Sequence, residues 1–213
     1  MSTRVGVLHT VPALVPVFHG LLASEREDTE VVHIADPTLL SRAVAAGITA
    51  DVEADLRVHL AALRDAGAAA VLVTCSSIGE AAVDAAAAVG VRLVRVDAAM
   101  ARAAVERASA GSGRILVLAT LPATLGPTGR LVQAEAVAGE GIEVTAVVVE
   151  DAAAARAAGD LAQHDRLIAE AIEKAGDVDV IVLAQASMAT GAGGDARVLT
   201  SPESGTADFL RTV

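Results

Sequence analysis

The sequence predicts an α/β protein made of two similar halves, on three observations. Short β-branched runs alternate with alanine-rich amphipathic stretches from one end of the chain to the other, the pattern of a parallel sheet flanked by helices. Thr10-Val11-Pro12-Ala13, at the end of one β-rich run, returns as Thr120-Leu121-Pro122-Ala123, 110 residues later. The run VLVTCSSIG, which carries Cys75, returns as VIVLAQASM, which carries Gln185, at the same spacing of 110 residues. Two separate segments that share one offset point to an internal duplication.

In chain order, strands are expected near Val5–Leu8, Val31–Ile34, Ala69–Val73, Val91–Val96, Arg114–Ala119, Ile142–Val148, Val178–Leu183 and Arg197–Leu199, with helices between them. The clearest helix is ADVEADLRVHLAALRDAG, where Val52, Leu56, Leu60 and Leu63 recur at helical spacing and Gly67 makes a stop. Its counterpart is GDLAQHDRLIAEAIEKAG, with Leu161, Leu167, Ile168 and Ile172 as the expected stripe and Gly176 as the stop. The halves are placed at 1–97 and 98–204, each a Rossmann-like (flavodoxin-like) domain with a parallel sheet. The last helix, around Glu203–Arg211 within 203–213, is free to pack on the first half. The expected active site is a cleft between the pseudosymmetric halves, because ligands of open α/β sheets bind outside the carboxyl ends of the strands. Thr10, Cys75, Thr120 and Gln185 all fall at such ends.

Composition narrows the function. The chain has 213 residues and is 54% apolar, enough for sizeable cores. Sixteen Lys and Arg against twenty-seven Asp and Glu give a formal charge of -11, with no Trp, no Tyr and two Phe. That balance disfavours nucleic-acid partners, which need cationic surface or stacking rings. A small anion remains compatible with it, since backbone N–H groups hold a carboxylate locally. One cysteine forms no internal disulfide, no run reaches the length of a membrane span, and the first residues make a poor signal peptide. The protein is read as soluble and cytoplasmic, with no membrane partner and with homo-oligomers open to it.

Cys75 has two readings from sequence mechanics alone: a small buried hydrophobe, or a thiol activated beside a helix N-terminus. Ser77 and Glu80 fit a capping box, which starts a helix just after Cys75 and predicts a lowered thiol pKa from the helix dipole. Thr74, Ser76 and Ser77 add hydroxyls there. Thr10 and Thr120, each followed by x-Pro, read as helix caps whose donors an anionic ligand could use. Thr124 is read toward ligand binding and Thr128 toward turn chemistry around Gly126-Pro127. Ser187 offers a further hydroxyl or caps the following helix. His9 is placed to reach the cleft. His19, His33 and His59 carry no partner motif, and His164 is read as a structural hydrogen bonder. No HxxxH, CxxC or EF-hand pattern occurs, and TGAGGDAR at 190–197 lacks both dinucleotide and Walker spacing. The latter is read as a flexible loop, and neither a metal nor a cofactor is expected.

Together these residues resemble the aspartate/glutamate/hydantoin racemase superfamily, whose cofactor-independent members are tandem α/β domains with one cysteine from each half. VTCSS is similar to that family's first cysteine motif, TLPAT to its threonine-bearing loop, and VIVLAQASM to its second motif, where a Gly-Cys-Ala-Gly-Met type sequence is usual. The SP of TSPESG extends the likeness to the end of the chain. The resemblance implies that Cys75 is one catalytic acid/base and that the second catalytic position falls on Gln185. It also implies that Thr10, Thr74, Ser76, Ser77, Thr120, Thr124 and Ser187 surround a small carboxylate or carbonyl substrate.

Gln185 departs from the family pattern with chemical consequences. An amide neither ionises near neutral pH nor delivers a proton, so the two-base racemisation of the family lacks its second thiol. One-cysteine chemistry is expected instead: decarboxylation, isomerisation through a covalent thiolate adduct, or proton transfer on one face. Two alternatives stand beside it. One is a true amino-acid or hydantoin racemase whose second acid is another residue, for instance His9. The other is a catalytically inactive protein that binds small anions.

Overall fold

A computed structural model describes residues 3–136 and 141–213. The chain divides into two compact units, Met1–Val96 with Pro202–Val213, and Asp97–Ser201.

The first unit is a four-stranded parallel sheet formed by β1 (Thr3–His9), β2 (Thr29–Ala35), β3 (Val71–Val73) and β4 (Leu93–Arg95), in the order β2-β1-β3-β4. Its helices are α1 (Val15–Glu25), α2 (Pro37–Ala46), α3 (Ala50–Asp65), α4 (Gly79–Val89) and, from the far end of the chain, α9 (Pro202–Leu210). The second unit repeats the order as β6-β5-β7-β8, from β5 (Arg114–Ala119), β6 (Glu143–Val148), β7 (Val180–Leu183) and β8 (Val198–Leu199). Around it lie α5 (Ala98–Ser109), α6 (Pro122–Ala136), α7 (Ala152–Ala157) and α8 (Leu161–Glu173). Every expected strand is present.

The duplication extends to register. Gly6, Val7 and Leu8 of β1 pair with Val71, Leu72 and Val73 of β3, and Leu116, Val117 and Leu118 of β5 pair with Ile181, Val182 and Leu183 of β7. Each second-unit partner stands 110 residues after its first-unit counterpart. Parallel strands covered on both faces read as continuous apolar runs, and the central strands do so. In β5, Ile115, Val117 and Ala119 face Met100, Ala101 and Ala104 of α5, while Leu116 and Leu118 face Ile168 and Ile172 of α8.

Helix α3 buries Val52, Leu56, Leu60 and Leu63 completely, the stripe its spacing predicts, and the chain turns through Gly67 at φ +87°. Helix α8 packs Leu167, Ile168 and Ile172 of the expected stripe and departs from it at Leu161. Asp160 caps it by accepting from Gln163 N at 3.0 Å, which leaves Leu161 at the rim and 54% exposed. The face that packs is His164, Ile168 and Ile172, one residue every turn. Helix α6 runs through Gly126-Pro127, where the sequence reading placed a turn. Pro127, the sixth residue of α6, has no N–H for the Ala123 carbonyl and crowds it, and Thr124 and Thr128 nevertheless come onto one buried face.

Helix α9 returns to the first unit. Phe209 and Leu210 are buried, and α9 packs along α1, where Phe18 and Leu22 are fully buried. Arg26 donates to the carbonyls of Leu210 and Val213 at 3.1 and 3.2 Å, and Arg92 donates to the carbonyl of Thr212. Gly205 is required by close approach, since a Cβ there would lie 2.1 Å from the Val96 carbonyl oxygen. Among the described residues, no helix is long and apolar enough to cross a membrane.

Candidate active site

Strand β3 delivers Cys75 to the carboxyl end of the first sheet. Cys75 is extended, at φ -125° and ψ 113°, and caps a short 3-10 turn, Ser76–Ile78, that leads into α4. The helical path starts at Ser76, one residue before the expected cap Ser77, and the cap of α4 is Ile78, without a side-chain bond of its own. The first N–H groups of the turn gather at the cysteine instead. Burial of the thiol dominates its electrostatics and pushes its pKa up. The Thr10 hydroxyl, the N–H groups of Ile78 and Ser77, and the Ser77 hydroxyl oppose that shift without overcoming it. The direction is opposite to the lowering expected from a helix dipole, because a short 3-10 turn supplies few dipoles and desolvation outweighs them. Cys75 retains partial exposure and forms no disulfide.

Thr10 is one residue beyond β1. It caps no helix, since the following turn, Pro12–Leu14, is capped by Val11. The Thr10 side chain is buried, and apart from the Cys75 thiol its Oγ1 has no hydrogen-bond partner. A buried hydroxyl short of partners is costly and marks a place where a ligand oxygen or a thiolate can complete the set. Thr74, Ser76 and Ser77 are also buried. The Thr74 hydroxyl is turned to the Leu8 carbonyl at 3.3 Å and to His9 Nδ1 at 3.0 Å, which removes it from the set of spare donors the sequence reading assumed.

Histidines that carried no motif converge here. His9, at the end of β1, is fully buried, and its Nε2 lies 3.0 Å from Nδ1 of His33 in β2. Nε2 of His33 lies 3.2 Å from Nδ1 of His19 in α1. Burial, with a smaller contribution from His33, lowers the His9 pKa to about 4. His59 contacts Asp36 Oδ2 at 2.8 Å. Among the described residues, no three His, Cys, Asp or Glu side chains converge as metal ligands.

In the second unit, Gln185 ends β7 as Cys75 ends β3, in extended conformation before the 3-10 segment Ala186–Gly191. Its amide is committed to Thr120: Thr120 N donates to Oε1 at 2.7 Å, and Nε2 donates to Thr120 Oγ1 at 2.8 Å. Thr120 was expected to cap a helix and offer its N–H to a ligand, but the clamp uses both groups. The helix itself starts after Leu121, whose carbonyl takes the N–H of Thr124 and of Leu125. Thr124 is buried, and Thr128 is buried with an unpartnered hydroxyl. Ser187 lies inside the 3-10 segment rather than at a helix cap, and its carbonyl is 3.4 Å from His164 Nε2. The other His164 nitrogen meets the Ala152 carbonyl at 2.9 Å, a structural role as expected. The segment 190–197, expected to be a flexible loop, is tied down. Thr190 donates to Asp165 at 2.7 Å, and Arg197 pairs with Asp195 at 2.7 Å and donates to the Gly176 carbonyl at 2.8 Å.

No family model and no curated protein matches the sequence. Solved structures do match. An aspartate racemase from Picrophilus torridus aligns with a TM-score of 0.75 at 15% identity, over 99% of this chain and 94% of the other. A glutamate racemase from Francisella tularensis, solved in complex with D-glutamate, aligns with a TM-score of 0.70 at 14% identity, over 99% of this chain and 81% of the other. Unliganded arylmalonate decarboxylase aligns with a TM-score of 0.58 at 16% identity, over 98% and 92%. The chain has the α/β fold shared by the aspartate and glutamate racemases and arylmalonate decarboxylase, the fold that its sequence motifs implied.

Proposed function

We propose that the chain is a cofactor-independent enzyme of the aspartate/glutamate/hydantoin racemase superfamily in which the Cys75 thiol delivers a proton to one face of a small carboxylate substrate. The observation that carries this reading is the setting of Cys75. Its sulfur lies at a strand end among N–H and hydroxyl donors, yet burial dominates and favours the protonated thiol. A thiol that stays protonated near neutral pH is a proton donor rather than a resting base or nucleophile. Gln185 has no ionisable proton, and its amide is engaged with Thr120. A single acid on a single face is the chemistry these two groups favour.

Decarboxylation of a substituted malonate matches it. The bond from the α-carbon to one carboxyl carbon breaks, CO₂ leaves, and the electron pair remains on the α-carbon, delocalised into the second carboxylate. The Cys75 S–H proton passes to that carbon, and the thiolate regains a proton from solvent. The buried Thr10 hydroxyl, which lies against the Cys75 thiol, and the N–H groups of the Ser76–Ile78 turn are the proposed holders of the retained carboxylate. The fold shared with arylmalonate decarboxylase supports the reading.

The test is turnover in D₂O across substituted malonates, aspartate, glutamate and hydantoins. CO₂ release from a malonate, with one deuteron added on a single face and lost in Cys75→Ala, is the expected result. Full activity in Cys75→Ala overturns it. Exchange of aspartate or glutamate with inversion replaces decarboxylation by racemisation with a second acid.

A further inference from the structure

Arg95 lies buried against the turn that follows Cys75. β3 and β4 pair in parallel with Val71 opposite Leu93 and Val73 opposite Arg95, and residues paired in this way present their side chains to the same face of the sheet. On that face Val71, Val73, Leu93 and Cys75 pack in one cluster with Ile78 and Ala82. Arg95 therefore leaves the carboxyl end of β4 on the side that carries Cys75 and α4. Its side chain reaches Gly79, the first residue of α4, where a Cβ would lie 2.7 Å from Nε, 3.0 Å from Cζ and 3.3 Å from Nη2.

Gly79 serves that approach and nothing else in the local backbone. At φ -58° and ψ -42° its conformation is right-handed helical, open to every residue, and glycine is a poor helix former there. What the missing side chain supplies is the surface on which the Arg95 guanidinium rests. Charge does not explain the placement either, because a cation at a helix N-terminus meets the positive end of the dipole. Arg95 is only 8% exposed, so the guanidinium has little room to move aside.

Gly79 is also the joint of the turn. Its N–H donates to the Ser76 carbonyl and closes the 3-10 turn Ser76–Ile78. The same turn directs the N–H groups of Ser77 and Ile78, with the Ser77 hydroxyl, at the Cys75 thiol. The plane of Arg95 thus bears on the residue next to Ile78 and two from Ser77. Charged groups on the neighbouring elements are placed differently. Helix α2 packs on the turn, but its Arg42 pairs with Asp51 and Asp55, and its cap, Asp36, holds Thr38 and His59. Glu80 and Asp84 of α4 are exposed.

We infer that Arg95 is a positioning residue of the candidate active site: its guanidinium, laid across Gly79, holds the Ser76–Ile78 turn so that the donors of the turn converge on Cys75. The catalytic consequence rests on the proposed decarboxylation, in which those N–H groups receive the charge that grows on the retained carboxylate. The effect on the thiol itself does not depend on that reading. Without the guanidinium the turn can rotate its donors away, which removes stabilisation from the thiolate and from the developing charge together. Lysine in place of Arg95 keeps the charge but has no plane to lay on Gly79. Alanine in place of Gly79 displaces the plane and also keeps the charge.

The experiment has two arms, run on wild type, Arg95→Lys and Gly79→Ala, with folding verified by circular dichroism. In the first, iodoacetamide modification of Cys75, the single cysteine of the chain, is followed across alkaline pH without substrate. The alkaline rise of the rate should move up by about half a pH unit or more in both variants, a loss of about threefold in thiolate at a given pH. The double variant should shift little further than either single one, since both remove the same contact. A wild-type profile in folded Arg95→Lys or in folded Gly79→Ala overturns the assignment, and a merely structural role for Arg95 would lower stability without moving the profile. In the second arm, CO₂ release from phenylmalonate should show kcat reduced about tenfold or more in both variants with KM changed less than about threefold, because the donors act on charge that develops in the transition state. A loss confined to KM, or an unchanged kcat, overturns the catalytic consequence. Wild type inactive on every malonate overturns the functional reading and leaves the thiol profile to decide the role of Arg95.

Discussion

Gln185 and Thr120 hold each other by two hydrogen bonds: the Thr120 N–H meets Oε1 at 2.7 Å, and Nε2 meets the Thr120 hydroxyl at 2.8 Å. The pair joins the carboxyl ends of β7 and β5. At this strand end the amide has become a brace.

Removing that brace should cost stability before it costs chemistry. Gln185→Ala leaves the buried Thr120 N–H without its acceptor, a loss of about 1–3 kcal/mol. Urea unfolding should show the decrease, and Gln185→Glu, which keeps the acceptor for the Thr120 N–H, should recover part of it.

Cys75 makes a signed prediction at alkaline pH. Its pKa is raised above the ordinary 9.0, first by burial, so just above that pH the folded protein binds more protons than the unfolded chain. The unfolded chain then gains from ionisation and stability falls as pH rises, having been fully present below 9.0. Denaturation midpoints from pH 8 upward should decline more steeply in wild type than in Cys75→Ala. Iodoacetamide should likewise modify Cys75 slowly at neutral pH.

His9 makes the opposite prediction in acid. Its pKa falls from 6.5 to about 4, burial being the larger cause and His33 the smaller, so between those values the unfolded chain binds more protons. Stability is present above 6.5 and is lost as pH falls toward 4. His33, also lowered by burial and by His19, adds in the same direction. Thermal melts across that window should show the loss, and His9→Gln should flatten it.

Gly205→Ala tests the return of α9. Its Cβ would meet the Val96 carbonyl oxygen at 2.1 Å and a Val96 methyl at 2.8 Å, and backbone cannot move aside as a side chain can. A loss of about 1–3 kcal/mol is expected in thermal unfolding, with proteolysis near Pro202 increased.

What the sequence made legible was whatever depends on neighbours in the chain. The α3 stripe, the eight strands and the offset between Cys75 and Gln185 all follow from local periodicity or direct repetition. The errors share a physical cause. Ser77 and Glu80 have the spacing of a cap, but the turn had already begun at Ser76. Gly126-Pro127 has the composition of a turn, but packing of Thr124 and Thr128 carried the helix through it. Leu161 has the right period but stands at its helix's first residue. The His9–His33–His19 chain was invisible because it depends on Val7 standing opposite His33 and on where α1 crosses, neither of which leaves a mark in local pattern.

The return of α9 also sets an order of assembly. The second unit is one unbroken stretch, Asp97–Ser201, and every residue of it has been synthesised before Pro202. The first unit, although its strands are made first, lacks Phe209 and Leu210 until α9 has been made. During synthesis the later unit can therefore close first, while the unit bearing Cys75 stays open along α1 until α9 arrives.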